Sequence, residues 1–524
     1  MRWMKALALC SLAVAAGLVL IRVASDLPPL EPRTRSAAFT DTEDTALGRA
    51  IAPRAAGRSD LSGIHPLPQA LDAFAARMLL ARVAERSIDA QYYIWHDDRT
   101  GTLLFDELRA AADRGVRVRL LLDDNTTAGM DAVLAALDSH ENVEVRLFNP
   151  FVIRSPRLLG YLADFSRLNR RMHNKSFTID NQATIVGGRN IGDEYFGASD
   201  GALFADLDVL AVGPVVREVS ADFDRYWESG SAYPASKILK ATDGADVSAI
   251  AARALSVRAD RSARQYLEAL RDQPFVSRLV EGRLPLEWVP VRMVSDDPAK
   301  GLGRATRNEL LFSQLRSALG EPQRWLGLVS GYFVPAKAGT DAFTEMARRG
   351  VQVTILTNSL AATDVPIVHA GYAKWRKPLL QAGVRLYEMH APVGSQAPRR
   401  EVTGVGSTGS RLSGAGSALH AKTFAVDRQR VFIGSFNFDP RSAYLNTELG
   451  FVIDSPILAA RMHDTFVRSA PKMAYEVRLS DDSELVWVER RGERQIRHAA
   501  EPGTSASQRA LVAILSLLPI DWLL

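Results

Sequence analysis

The apolar positions of this chain fall into alternating helix and strand periods, and the alternation occurs twice. In the first stretch a helix is predicted over Leu67 to Arg86, a strand over Ser87 to Trp95 and a helix over Thr102 to Arg114. A buried strand at Val116 to Leu122, a helix at Gly129 to Ser139 and a strand at Val143 to Phe148 follow. The second stretch echoes the first: strand Trp325 to Phe333, helix Asp341 to Arg349, strand Val351 to Thr357, helix Ala370 to Gln381, strand Val384 to Tyr387. The two patterns are offset by about 240 residues. Such alternation predicts an α/β protein of two similar lobes, each a mixed β-sheet flanked by helices. The lobes are expected over 63–235 and 285–470, with a helical insertion at 236–284 and an extension at 471–524.

Both ends depart from that pattern. Arg2 and Lys5 precede an uncharged apolar run, Ala6 to Ile21, which Arg22 closes. Residues 1–25 therefore read as a signal anchor or a signal peptide, with Val23-Ala24-Ser25 as a passable cleavage site. Residues 26–62, rich in Pro, Arg, Ala and Ser, read as an extended linker. At the other end, Ala506 to Leu524 is apolar but too short to span a bilayer. Leu511, Ile514, Leu515, Leu517 and Leu518 could cover one helix face, and Trp522 suits a membrane interface; a docked core helix is the equal alternative.

Composition narrows the class. With 47% hydrophobic and 24% charged residues, the chain is an ordinary globular one. A net charge of +4 is too mild to argue for nucleic acid, yet it suits an anionic membrane surface. The single cysteine excludes an internal disulfide.

The candidate chemistry lies in one pattern that occurs twice. Residues 173–190 read HNKSFTIDNQATIVGGRN and residues 420–437 read HAKTFAVDRQRVFIGSFN. The copies supply His173, Lys175, Asp180 and Asn190, then His420, Lys422, Asp427 and Asn437, with the two His 247 positions apart. Residues i and i+2 of a strand share a face, so each His and its Lys point into one site. The small residues Gly187-Gly188 and Gly434-Ser435 let backbone and Asn190, Ser435 and Asn437 donors approach a phosphate oxygen. The ammoniums neutralise the other oxygens. One imidazole can attack phosphorus while the other protonates the leaving alkoxide. Asp180 and Asp427 belong to the catalytic pattern, with a turn-fixing role favoured for both. No metal and no cofactor are expected. The other histidines, at 65, 96, 140, 369, 390, 463 and 498, show no metal-ligand spacing. Val393 to Gly416, just before His420, is either a surface loop or a mobile flap over the site.

The doublet resembles the phospholipase D superfamily. SIDAQYYIW (87–95), RVRLLLDD (117–124), VGGRNIGDEYFG (186–197), PLEWVPVRMVSDDPAK (285–300), TNSLAATD (357–364) and LLPIDWLL (517–524) are similar to the bacterial cardiolipin synthases of the C type. The resemblance implies two phospholipase D-like lobes with the active site at a pseudo-twofold interface. It also implies an acid that orients each imidazole. Glu448, 28 residues after His420, would serve that histidine, and Asp206, or else Asp208, would serve the first half. By the same resemblance His173 is the nucleophile and His420 the general acid, then the base. Gly188 departs from the family pattern, which has Ser there. The implied reaction joins phosphatidylglycerol to a second phospholipid, phosphatidylethanolamine or another phosphatidylglycerol, through a phosphatidyl-histidine. Arg2 and Lys5 before the apolar run favour a cytoplasmic amino terminus, so the expected setting is the bacterial inner membrane with the catalytic body facing the periplasm. Nucleic acid is not an expected partner, and an accessory protein is left open. A hydrolytic phospholipase D is the alternative, with a nuclease behind it.

Overall fold

The computed structural model describes the chain apart from residues 1–2, 4–8, 13–15, 18–21, 23–24, 199–204, 240–245, 261–262, 265, 269–276, 279–280 and 392–418. The Val393–Gly416 segment and most of the amino-terminal apolar run lie outside the described residues. Among those described, no helix is long and apolar enough to cross a membrane.

Two mixed sheets carry the fold. The first contains β1 (Ser62–Leu67), β2 (Ser87–Tyr92), β3 (Arg117–Asp123), β4 (Val143–Phe148), β5 (Ser176–Ile179), β6 (Ala183–Gly187), β7 (Asp208–Val212), β8 (Ala232–Pro234) and β9 (Glu287–Val289). The second contains β10 (Val291–Ser295), β11 (Trp325–Ser330), β12 (Gln352–Asn358), β13 (Arg385–Met389), β14 (Lys422–Val426), β15 (Arg430–Gly434), β16 (Leu449–Ile453), β17 (Ala474–Leu479), β18 (Leu485–Arg491) and β19 (Arg494–His498). Their spatial orders are β8-β4-β3-β2-β5-β6-β7-β1-β9 and β10-β16-β15-β14-β11-β12-β13-β17-β18-β19. Reading the second order backwards from β17 to β10 matches β8 to β1 strand for strand, which confirms the duplication. In each lobe three parallel strands (β2-β3-β4, β11-β12-β13) meet an antiparallel hairpin (β5-β6, β14-β15). The chain changes sheet at Pro290, between β9 and β10, where a proline cannot donate to either ladder.

The sheets meet face to face. Ile64, Val186, Val209 and Ala211 of the first sheet share one buried apolar cluster with Val431, Ile433, Leu449 and Phe451 of the second. That shared core sets the hairpins of the two lobes against each other.

Several expectations change. Residues 26–62 are not a free linker. They contain the helix Ala46–Ala55, whose Leu47 and Ile51 enter the first core, and all of β1 except its last five residues. Arginines link this stretch to the lobe in both directions. Arg119 donates to Ser36 O (2.9 Å), and Arg33 reaches the carbonyls of Ser229 (2.9 Å) and Ala232 (3.2 Å). Backbone groups without a ladder are thus satisfied by side chains of the lobe. Leu67 ends β1, and the helix begins at Ala70; His65 and Pro66 hide the strand's alternation. The helix predicted over Ala370 to Gln381 is two, Pro366–Ala373 and Arg376–Gln381, because Pro378 has no N–H for the carbonyl of Lys374. Within the insertion the helix Val247–Ala259 packs on Arg99–Asp113 of the first lobe, with Arg258 paired to Asp106 at 2.7 Å. The second lobe runs past residue 470, since β17 pairs with β13 and continues the sheet through β18 and β19. The helix Ala506–Ser516 docks Val512 and Leu515 near Leu360 and Ala370, while Leu511, Ile514, Leu517 and Leu518 stay exposed.

Candidate functional site at the lobe interface

The two hairpins deliver the paired motifs to the interface. His173 and Lys175 immediately precede β5, and Lys422 opens β14 two residues after His420. Asp180 and Asp427 occupy the far ends of these strands in left-handed turns, each with φ of 51°. Asp180 accepts the backbone N–H groups of Glu85, Arg86 and Ser87 (2.7–3.3 Å), and Asp427 those of Gln323, Arg324 and Trp325 (2.7–2.9 Å). They fasten each hairpin to the start of the neighbouring parallel strand. The structure therefore removes both from the catalytic set and gives them the turn-fixing role.

The acids and the histidines cross between lobes. His173 Nδ1 lies 2.8 Å from Glu448 Oε2, and His420 Nδ1 lies 2.6 Å from Asp206 Oδ2. Sequence proximity had suggested the opposite pairing, His420 with Glu448 and the first-half histidine with Asp206. The backbone makes the same exchange: His173 N donates to Thr447 O (2.9 Å) and His420 N to Ala205 O (2.9 Å). Each histidine is thus stitched to the residue before its acid in the other lobe. Asp208, the alternative acid, instead pairs with Arg77 at 2.9 Å. Both imidazoles, both ammoniums and both acids are buried. Lys175 Nζ donates to His173 O, and Lys422 Nζ lies 3.0 Å from His420 Nδ1.

The chain matches known proteins over most of its length. Residues 80–227 and 315–469 match the family described as "Cardiolipin synthase, PLD-like domain". The chain is 50% identical to "Cardiolipin synthase C" of Escherichia coli K12 over 478 residues, covering 91% of this chain and 99% of that one. It is 26% identical to "Cardiolipin synthase A" of Pseudomonas syringae pv. syringae, over 72% of this chain and 62% of that one. Among solved structures, phosphatidylserine synthase of Haemophilus influenzae Rd KW20 superposes with a TM-score of 0.52 at 14% identity, covering 82% of this chain and 92% of that one. This chain belongs to the cardiolipin synthase, phospholipase D-like family.

Electrostatics divide this cardiolipin-synthase-family site into unlike halves. Burial, then the charge of Lys175, holds the His173 imidazolium well below its ordinary pKa. Burial and Lys422 push His420 down to about 3. Burial also lowers both ammoniums. The acids move in opposite directions. Burial raises Glu448 to about 7, against the pull of Lys175 and the Ser435 hydroxyl. Burial opposes ionisation of Asp206 too, but His420, Lys422 and Arg189 outweigh it and keep its carboxylate below the usual range. A buried phosphodiester would return negative charge to this site and favour the protonated form of every one of these bases.

Two of the three phosphate-binding candidates, Ser435 and Asn190, carry structural hydrogen bonds. The Ser435 hydroxyl donates to Glu448 Oε2 and accepts Leu449 N–H (3.0 Å), so it steadies the acid. Asn190 takes Ile94 N–H (3.1 Å) and donates to Tyr195 OH (3.0 Å), so it positions a ring. Asn437 keeps a buried carboxamide oxygen without a hydrogen-bond partner. Gly188 is required by packing: a Cβ there would lie 2.2 Å from Asp206 Oδ1.

Sequence reasoning missed the supports. Tyr93 meets His173 edge-on at 5.0 Å, and Tyr195 meets His420 at 5.2 Å. Arg171 and the N–H of Met172 both bind Asp123, at the end of β3, which pins the approach to His173. Asn358, at the equivalent end of β12, holds Leu419 before His420 through both its backbone N–H and its carbonyl (2.9 Å each). Asp296 accepts Glu448 N–H (2.9 Å) and the Lys300 ammonium (2.9 Å). The signal for these residues was their place at strand ends on the sheet's carboxyl edge. Elsewhere, His96 comes within 3.1 Å of Glu194 and 3.9 Å of Asp98, a grouping its sequence spacing did not show. Asp98 there accepts the N–H groups of Gly101 (3.0 Å) and Asp193 (2.7 Å), so the cluster caps two helices.

Proposed function

We propose that the chain makes cardiolipin by phosphatidyl transfer to phosphatidylglycerol. The observation that carries the reading is the crossed pair of Nδ1–carboxylate bonds, which leaves the chemistry of both histidines to Nε2 within one buried site. His173 Nε2 attacks phosphorus of the donor phospholipid. The bond from phosphorus to the head-group oxygen breaks, and that oxygen takes the Nε2 proton of His420. A phosphatidyl-His173 remains, with its Nδ1–H on Glu448. His420 Nε2 then removes the proton from a hydroxyl of phosphatidylglycerol. The new alkoxide attacks phosphorus, the P–N bond breaks, and neutral His173 returns. Lys175 and Lys422 stabilise the extra charge on the non-bridging oxygens, and Asn437 offers a further polar contact.

The identity of half the residues in Escherichia coli cardiolipin synthase C supports the lipid hydroxyl as acceptor. Arg2 and Lys5 before the apolar run Ala6 to Ile21 support a membrane setting with the catalytic body on the periplasmic side. Purified protein incubated with vesicles of phosphatidylethanolamine and phosphatidylglycerol is expected to form cardiolipin faster than phosphatidic acid, read by mass spectrometry. Predominant phosphatidic acid with abundant phosphatidylglycerol would make the enzyme a hydrolase. Omitting phosphatidylethanolamine separates the two candidate donors.

A further inference from the structure

Three apolar features of this chain meet at one place, the helix Arg157–Leu168 of the first lobe. The helix turns Leu158, Leu162 and Phe165 to solvent, at 41%, 58% and 47% exposure. Leu158 and Leu162, at i and i+4, share one face, and Phe165 follows directly on the kink at Asp164. Tyr161 flanks these side chains, with its ring 6.4 Å from that of Phe165, and leads from them to the site. Tyr161 OH donates to Asn125 Oδ1 (2.7 Å), Asn125 lies 3.5 Å from Tyr93 OH, and Tyr93 packs its edge on His173.

The second feature enters through Arg22. This residue closes the amino-terminal apolar run, and its guanidinium binds Asp164 (3.3 Å) and the Ala163 carbonyl (3.5 Å). In the sequence, Arg22 directly follows the apolar run Ala6–Ile21. The third enters through Arg441. Its Nη1 donates to Asn169 O (3.0 Å) at the end of the same helix, while its Nε donates to Leu523 O (3.1 Å) and its backbone N to Leu524 O (2.7 Å). Just before those carbonyls come Leu517 and Trp522, exposed by 83% and 58%. Between the two sits Tyr444, 63% exposed, whose carbonyl accepts Arg170 (3.1 Å).

We infer that the helix Arg157–Leu168 and the segment Ala506–Leu524 together form a lipid-bilayer docking surface beside the catalytic site, one half from each lobe. A bilayer is the occupant because the apolar run ends at this spot, and because large apolar side chains with a Tyr and a Trp among them are the composition of an interfacial anchor. Arg441 joins the two halves and lies close to the approach to His173. Docking would hold a membrane lipid where its phosphate can enter the site without leaving the bilayer. The purpose assigned here rests on the cardiolipin reading, but the docking itself does not.

The test uses the full chain in a Cys10→Ser background. Single variants Leu162→Cys, Leu517→Cys and, as a control in the turn after β17, Asp481→Cys are labelled with an environment-sensitive fluorophore. On phosphatidylglycerol–phosphatidylethanolamine vesicles, labels at 162 and 517 should both shift to the blue. Lipid-borne spin labels should quench them at least ~threefold more than the label at 481. A label at 162 or 517 that stays in water on vesicle-bound protein overturns the surface. A blue shift that appears without vesicles as protein concentration rises also overturns it, in favour of a second copy of the chain. The variant Leu162→Glu/Leu517→Glu should lose about tenfold in turnover of vesicle lipid and less than about twofold on short-chain dispersed phosphatidylglycerol. Equal losses on both substrates overturn the inference. The quenching result holds whatever product forms, so its failure and the failure of the cardiolipin reading are separable.

Discussion

The two half-sites share a plan and differ in what surrounds the plan. Around His173 the support is charged and crowded: the Asp123–Arg171 pair behind it, and Glu448 held by Ser435 and by the Asp296–Lys300 pair. Around His420 the support is leaner: neutral Asn358 behind it, and Asp206 seated against Gly188 with Arg189 bonded to its carbonyl at 2.7 Å. Position 189 is Arg and its counterpart 436 is Phe, so the guanidinium beside Asp206 has no counterpart at the matching position, and Glu448 has the Lys300 ammonium instead. The result is one firmly ionised acid and one poised near neutrality. Duplicated groups with unlike surroundings can take unlike roles. An ionised Asp206 stabilises an imidazolium that must gain and lose a proton, which suits a general acid and base.

The strongest way to break this comparison is to remove each imidazole. His173→Ala should abolish the phosphoenzyme, whereas His420→Ala should still form it slowly from a donor whose leaving group needs no protonation. Natural-lipid turnover should fall by ~10³-fold or more in either case. Peptide mapping of the trapped species decides, and phosphorus on His420 alone would reverse the roles.

The crossed acids come next. Glu448→Gln and Asp206→Asn should each cost on the order of a hundredfold or more. In the His420→Ala enzyme, assayed with the activated donor, Asp206→Asn should add little and Glu448→Gln nearly its full loss. The reverse result would restore pairing within a lobe. Lys175→Ala and Lys422→Ala should each lose on the order of a hundredfold in kcat, with a thermal unfolding midpoint no lower than the parent's. Near-normal turnover in Lys422→Ala would end the two-ammonium account.

Smaller effects sharpen the asymmetry. An ionised Glu448 stabilises the positive charge that the His173 ring gains on phosphorylation, and burial raises its pKa to about 7. Phosphoenzyme formation should therefore fall as pH drops through about 7, and Glu448→Gln should flatten that limb. The Ser435 hydroxyl pulls the same pKa down, so Ser435→Ala should move the limb to higher pH and cost about fivefold at neutrality, the equivalent of about 1 kcal/mol. A limb that stays in place would mean another group titrates there. Gly188→Ser should not reproduce the partner lobe, because its Cβ displaces Asp206.

Much of this was legible in one dimension. The strand periods, the duplication and the His-x-Lys spacing are local properties, and β4 falls on Val143–Phe148 as read from alternation alone. The crossing was not legible. Glu448 follows His420 by only 28 residues, yet β16 runs along the interface and presents its amino end to the other lobe. The structural bonds of Ser435 to Glu448 and of Asn190 to Ile94 and Tyr195 were not legible either, because their partners come from separate elements. The attachment of 26–62 to the lobe was not legible because Arg33 and the N–H of Ala38 bind lobe carbonyls and carboxylates far along the chain.

The exchange of acids has a consequence for how such an enzyme can be switched or divided. Neither lobe owns a working histidine; each lends the other its carboxylate. Opening the interface by a few ångströms would disarm nucleophile and acid together, with no change inside either sheet. The apolar seam of Val186, Val209, Val431 and Leu449 is therefore a fuse as well as a core. A fragment carrying one lobe should be inert by construction, and two inert full-length chains with damage in opposite lobes could not rescue each other by merely colliding.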